Sequence, residues 1–218
     1  MITRKKTDNT NVETKLHLRR HFLRTYHAEG GTVLDACQGE GKLWGQLRQE
    51  FPALRYTGAD MKPRAVGVMV DSRRLLAMRD WPWDIIDVDT YREPWGHWQN
   101  LCETVSRPVT VFLTIGLVRM AGGVVSNCCK RAAGLPDETP GCLAASVVDL
   151  IFNQLLWYPV RLGWQIENVL EATPRQRARY IGLRLVPSRP APGQKAPAKA
   201  RKPRPAPVPA TSPTRKTP

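Results

Sequence analysis

The sequence predicts an α/β fold built on a mostly parallel sheet with helices on both faces, and three observations carry that prediction. Short apolar runs alternate with segments of helical periodicity from residue 13 to residue 114, the pattern of βαβ units. The last two strand-like runs have no helix between them, so the sheet closes on an antiparallel hairpin. The stretch Gly31–Val186 is nearly neutral, with 18 Lys/Arg against 16 Asp/Glu, and is long enough to bury a core without disulfides or metals.

The elements follow from apolar spacing. Glu13–His27 is read as a helix, with Leu16, Phe22, Leu23 and Tyr26 near helical spacing. Thr32–Ala36 is a short buried strand that feeds a glycine turn, and Gly41–Phe51 is the next helix, carrying Leu43, Trp44 and Leu47. Arg55–Asp60 and Val66–Val70 are strands, Arg73–Met78 is a short helix, and Trp83–Val88 is the fourth strand. Trp95–Val105 is a helix, Val109–Thr114 the fifth strand and Cys142–Trp157 a helix. Gln165–Ala172 and Arg179–Val186 form the closing hairpin.

Charge is concentrated at the ends. The chain of 218 residues carries a formal +14; Pro187–Pro218 holds eight Lys/Arg and no Asp/Glu, and Met1–Gly30 holds seven against three. This excludes a uniformly basic, histone-like body. The last 32 residues contain ten prolines and little to bury, so they read as a disordered tail, and residues 1–12 as a flexible N-terminus around a domain at 13–186. Basic ends of this kind neutralise phosphates without sequence preference, which makes nucleic acid (RNA or DNA) the expected partner. Arg19, Arg20 and Arg24, and Arg175, Arg177 and Arg179 in the hairpin loop, are expected to add to that charge. Leu143–Val160 is interrupted by Asp149, Asn153, Gln154 and Pro159, so no membrane span is read, and a cytoplasmic location is expected. Five cysteines without CxxC spacing read as free thiols. His17 and His21 share a helix face but lack the HExxH glutamate and an evident third ligand, so no metal is expected.

Val33–Trp44, VLDACQGEGKLW, is the strongest local signal. Glycines after a buried strand let backbone approach a ligand closely, and the following helix start offers free N–H donors. A Walker loop is excluded, because Gly41-Lys42 is followed by Leu43 and Ala36 stands at the first glycine position. A dinucleotide fingerprint is disfavoured, because Trp44 stands three residues after Gly41. What remains is D-x-x-x-G-x-G, with Asp35 able to accept hydrogen bonds from a cationic amine over the Gly39–Gly41 backbone. The plain alternative is a tight strand-to-helix turn with a surface Asp.

This segment resembles motif one of the class I S-adenosylmethionine-dependent methyltransferases, with Cys37 in the place of the family's first glycine. The resemblance implies a Rossmann-like seven-stranded sheet with the last strand inserted antiparallel, and S-adenosylmethionine as cofactor. It implies cofactor contacts at Asp35, Cys37, Gly39 and Gly41. It also implies that Asp60 holds the ribose hydroxyls and that Asp71, with Ser72, lies near the adenine. Asp71 reads equally as an N-cap of the helix that follows it.

Trp83–Trp95, WDIIDVDTYREPW, is similar to the D-x-D-P-[FY]-G-x-P stretch of tRNA guanine exocyclic-amine dimethyltransferases and, more loosely, to the [DN]-P-P-[YFW] motif of nucleobase amino-methyltransferases. Carried over, Asp89 accepts the target amine, Tyr91 stacks on the base and Asp87 supports from the strand end. Thr90 replaces the proline and Arg92 the glycine of that pattern, while Pro94 is kept. Trp81, Trp83, Trp95 and Trp98 belong either to the core or to a base-stacking pocket. The expected function is methylation of an exocyclic nitrogen of a nucleobase in RNA or DNA. The alternatives are a non-catalytic nucleic-acid-binding module and a small-molecule methyltransferase.

Overall fold

The computed structural model describes residues 11–63, 67–90, 93–116, 125–172 and 178–188. In chain order they form α1 (Val12–Tyr26), β1 (Gly31–Asp35), α2 (Lys42–Glu50), β2 (Leu54–Asp60), β3 (Val68–Met69), α3 (Ser72–Leu76) and β4 (Ile85–Val88). There follow α4 (Trp95–Thr104), β5 (Val109–Gly116), α5 (Asn127–Ala132), α6 (Ala145–Leu156), α7 (Tyr158–Arg161), β6 (Trp164–Ala172) and β7 (Ala178–Pro187). The sheet order is β3-β2-β1-β4-β5-β7-β6. β1 to β5 pair in parallel, and β7 enters antiparallel between β5 and β6. The α/β class, the mostly parallel sheet and the closing hairpin match the sequence reading.

Two short helices differ from it. Ser126 caps α5, its side chain accepting from the Cys129 N–H. The helical run read as ending at Trp157 does stop there, and α7 follows as a separate turn, because Pro159 has no N–H to continue α6. β3 is only Val68–Met69, an edge pairing to β2 alone, shorter than the run read at 66–70. No helix among the described residues is long and apolar enough to cross a membrane.

Alternation along the strands sorts the side chains into two cores. Val33, Ile85 and Phe112 face α1 and α2, joining Leu16, Phe22, Leu23, Trp44 and Leu47. Leu34, Ile86, Val111 and Leu113 face the other side, against Trp95, Trp98, Leu101, Phe152 and Leu155. Trp81, Trp95 and Trp98 are buried in that second core, so of the two roles open to them the core is the one observed. Trp98 Nε1 donates to the Leu155 carbonyl at 2.8 Å.

Among the described residues, α1 is the first element yet docks on the last strand, β7. The Phe22 ring lies over Gly182 of β7, where an added Cβ would stand 2.5 Å from a ring carbon. The same ring meets Phe112 edge-on, with centroids 5.6 Å apart.

Candidate functional site

β1 and β4 are the neighbours at which the strand order reverses, and in open α/β sheets ligands bind beyond the carboxyl ends of such strands. There the register sets Asp35 of β1 directly beside Asp87 of β4. By the period of two, both carboxylates share the α1–α2 face, and Asp89 continues it. Like charges directly opposed on neighbouring strands are destabilising, so counter-charges are required.

α1 supplies them. Arg19 Nε and Nη2 donate to Asp87 Oδ2 and Oδ1, both at 2.7 Å, and Trp44 Nε1 of α2 donates to Oδ2 at 2.7 Å. Both charged side chains of this pair are 1–2% exposed. The Arg19 guanidinium also lies 4.9 Å from the Phe112 ring centroid. Asp87, read from sequence as a support at the strand end, is sealed from solvent by these groups, so any influence on a ligand passes through them.

One helical turn earlier, Lys15 Nζ donates to Asp89 Oδ1 at 2.8 Å and Oδ2 at 2.6 Å. Its ammonium stands 5.0 Å from the Tyr180 ring centroid. Burial acts to raise the Asp89 carboxyl, but Lys15 and then Arg19 outweigh it and hold the group below its usual range. Tyr91 and Arg92 lie outside the described residues.

Asp35 is different. It is buried, it accepts a hydrogen bond from the Tyr56 hydroxyl at 2.9 Å, and no Lys or Arg among the described residues forms an ion pair with it. Burial, and next the Asp87 charge, push its carboxyl well above the ordinary carboxylate range. Among the described residues the cluster thus holds three acids, Asp35, Asp87 and Asp89, and two cations, Lys15 and Arg19. Cys37 stands in the same field; burial and then Asp35 raise its thiol.

The turn above Asp35 is built from left-handed glycines, Gly39 at φ +55° and Gly41 at φ +67°. A Cβ on Gly39 would meet nothing nearer than the Cys37 carbonyl oxygen at 3.9 Å, so the backbone there faces open space. Asp60 braces the turn: its Oδ2 accepts from the Gly39 N–H at 3.0 Å and its Oδ1 from the Lys62 N–H at 2.9 Å. The Gln38 carboxamide lies against Gly58 and Gly67, and its buried Oε1 has no hydrogen-bond partner.

Solved structures share this architecture. Trm1 from Pyrococcus horikoshii, in complex with S-adenosyl-L-methionine, matches at a TM-score of 0.59 and 15% identity, over 81% of this chain and 55% of that one. M. jannaschii TYW2 in complex with AdoMet matches at 0.53 and 11%, over 84% and 79%. The plantazolicin methyltransferase BpumL, in complex with a pentazolic desmethylPZN analog and SAH, matches at 0.51 and 14%, over 83% and 87%. This is the class I methyltransferase fold. The chain spans little more than half of the Trm1 chain, and the likeness to all three is one of fold. No family model matches the sequence, and no curated protein matches it.

On the class I methyltransferase fold, the loop after β3 brings Asp71 and Ser72 to the same edge as Asp60. Asp71 is the N-cap of α3, accepting from the Arg73 N–H and paired with the Arg73 guanidinium at 2.7 Å. Ser72 is buried, with Oγ 3.0 Å from His97 Nε2 of α4. Burial, then Arg73, lowers His97 to about 4, so its ring is neutral at pH 7. His97 was not legible in the sequence, because only the fold brings α4 against α3.

Part of the charge expected to face a partner is spent internally among the described residues. Arg19 serves Asp87, and Arg20 pairs with Glu50 at 2.7 Å. Arg179 pairs with Glu171 at 2.7 Å. Arg24 stays exposed on α1, whereas Arg175, Arg177 and the basic tail lie outside the described residues.

Proposed function

We propose that this chain is an S-adenosylmethionine-dependent methyltransferase that modifies an exocyclic nitrogen of a nucleobase in RNA or DNA. The observation that carries the reading is Asp35, a buried carboxylate without a cationic partner at the end of β1, beneath a left-handed glycine turn that opens outward. The residues present suit a cofactor with a positive charge. Among the described residues Asp35 has no Lys or Arg in ion-pair contact, Gly39 leaves room above the turn, and the orphaned Gln38 Oε1 marks a polar niche beside it.

S-adenosylmethionine supplies, when bound, a methyl group already activated on a sulfonium sulfur. Asp35 would hold its cationic amine, the Gly39–Gly41 backbone would lie along its amino-acid part, and Asp60 and Ser72 would face the nucleoside. The chain's remaining work is placement and charge. Asp89 accepts an N–H of the target amine, which leaves the nitrogen lone pair free to attack. Asp89 and solvent are the acceptors available for the proton released after attack. Tyr91 stacks on the base in this reading. The basic tail and Arg24 hold the phosphates of the nucleic acid.

Calorimetry with S-adenosylmethionine tests the cofactor, and labelled-methyl transfer to mixed RNA and DNA tests the reaction. Binding of about micromolar Kd is expected for the wild type. Asp35→Asn should weaken it about 10- to 100-fold, from ~1.5–3 kcal/mol for a hydrogen bond to a charged group. No binding by folded wild type would refute the reading. Binding without transfer to either nucleic acid would leave a binding module or a small-molecule enzyme.

A further inference from the structure

We propose that Lys15 is a positioning residue for the methyl acceptor: it clasps both oxygens of Asp89 from α1, fixes that carboxylate in one orientation, and makes the acceptor corner select a neutral amine over a cationic one. This rests on the methyltransferase reading above.

The geometry is specific. Lys15 Nζ is 2.8 and 2.6 Å from the two Asp89 oxygens, and the pair is only partly exposed, at 14% and 28%. The ammonium is held against the Tyr180 ring of β7. Its backbone is held in turn, since the Lys15 carbonyl accepts from Arg19 Nη1 at 3.1 Å. A carboxylate offers about four acceptor sites, so two remain for an amine N–H after Lys15 is bound.

Charge decides what that amine is. The groups around Asp89 are Lys15 and Arg19 on α1, Asp87 and Thr90 on and after β4, Asp35 and Cys37 at the end of β1, Thr114 on β5 and Tyr180 on β7. With Lys15 present, Asp89 and Asp87 are each matched by a cation, while burial and Asp87 favour the protonated form of Asp35 on the cofactor side. Without Lys15, an unmatched carboxylate would stand at the acceptor corner and attract ammonium ions. An ammonium nitrogen has no lone pair to accept a methyl group. The exocyclic amine of a nucleobase is neutral at pH 7 and meets a neutral ion pair instead.

The test compares full-length wild type, Lys15→Met and Lys15→Arg. The Asp89 carboxyl is followed by 13C NMR titration, assigned with Asp89→Asn, and methyl transfer from S-adenosylmethionine to mixed RNA and DNA is followed against pH. Lys15→Met should raise the Asp89 midpoint by about one to three pH units, the usual effect of losing an adjacent opposite charge. Its kcat should fall about tenfold to a hundredfold, with KM little changed. The acid limb of its rate profile should move upward with the NMR midpoint, and Lys15→Arg should restore both. Butylammonium should perturb the Asp89 resonance of Lys15→Met and leave that of wild type unmoved.

An Asp89 midpoint that stays in place in Lys15→Met overturns the inference. So does an acid limb that ignores the midpoint while wild type is active, or a Lys15→Met resonance indifferent to butylammonium. Wild type that transfers no methyl group to RNA or DNA, with the midpoint still moving in Lys15→Met, overturns the nucleobase methyltransferase reading and takes the acceptor role of Lys15 with it.

Discussion

Replacing Arg19 by Met removes the charge that makes Asp87 tolerable inside the protein. Arg19 gives Asp87 two hydrogen bonds of 2.7 Å within a pair that is 1–2% exposed, and the side chain also covers Phe112. After the change Asp87 keeps only the Trp44 donor and stands unneutralised beside Asp35 in register. Removing one partner of a buried pair costs about 3–5 kcal/mol, mostly because the other charge is stranded. That is a large part of the ~5–15 kcal/mol that holds a domain folded. With a urea m-value of ~2 kcal/mol/M, the midpoint should fall by about 2 M. Asp87→Asn alone strands the guanidinium and should cost about as much. The double variant Arg19→Met/Asp87→Asn strands no charge and keeps an oxygen for Trp44 Nε1, so it should lose far less than the sum of the singles. The assay is urea unfolding by far-UV circular dichroism, run as a double-mutant cycle. A loss below about 1 kcal/mol for Arg19→Met, or additive singles, would refute the account of the pair.

Two further outcomes follow. Gly182→Ala puts a methyl group into the buried Phe22 ring, so it should destabilise the domain by about 1–3 kcal/mol in thermal or urea unfolding; a neutral result would mean that Phe22 is free to turn. Asp35→Asn should stabilise the ligand-free protein even as it loses the cofactor. The Asp35 carboxyl is raised in the folded state by burial and then by Asp87, so the folded protein keeps a proton that the unfolded chain has lost. Stability is therefore given up as pH rises from the ordinary carboxylate range through the raised value, and Asn does not share that loss. The Tm gain of Asp35→Asn, at about 2–4 °C per kcal/mol, should be larger at pH 8 than at pH 5; an equal gain at both would count against a raised carboxyl.

The sheet was legible because each strand is a short apolar run with its own turn signal, and all seven runs found in the sequence are strands. The glycine turn was legible for a local reason too: Asp35, Gly39 and Gly41 lie within seven residues, and left-handed backbone there requires glycine. What gives the acids their character was not. Lys15 reaches Asp89 across 74 positions and Arg19 reaches Asp87 across 68, and no local pattern encodes pairs so far apart. Arg19 was read as part of the basic front of the chain, and Lys15 was not singled out. Only the docking of α1 over β4 and β7 turns them into counter-ions. Tyr56 was passed over for a similar reason, since its hydroxyl meets Asp35 only when β2 pairs with β1.

The position of α1 also bears on the order in which the molecule is made. α1 is synthesised before β7, yet its seat includes Gly182 and Tyr180 of that strand. Until β7 inserts between β5 and β6, the helix that neutralises Asp87 and Asp89 has half its berth missing. Contacts of such separation form slowly, because the intervening loop must be closed before they give anything back. Between the synthesis of Asp89 and that of β7 the nascent chain therefore carries Asp87 and Asp89 without docked counter-ions, and the pairing of these two acids reports that the closing hairpin has arrived.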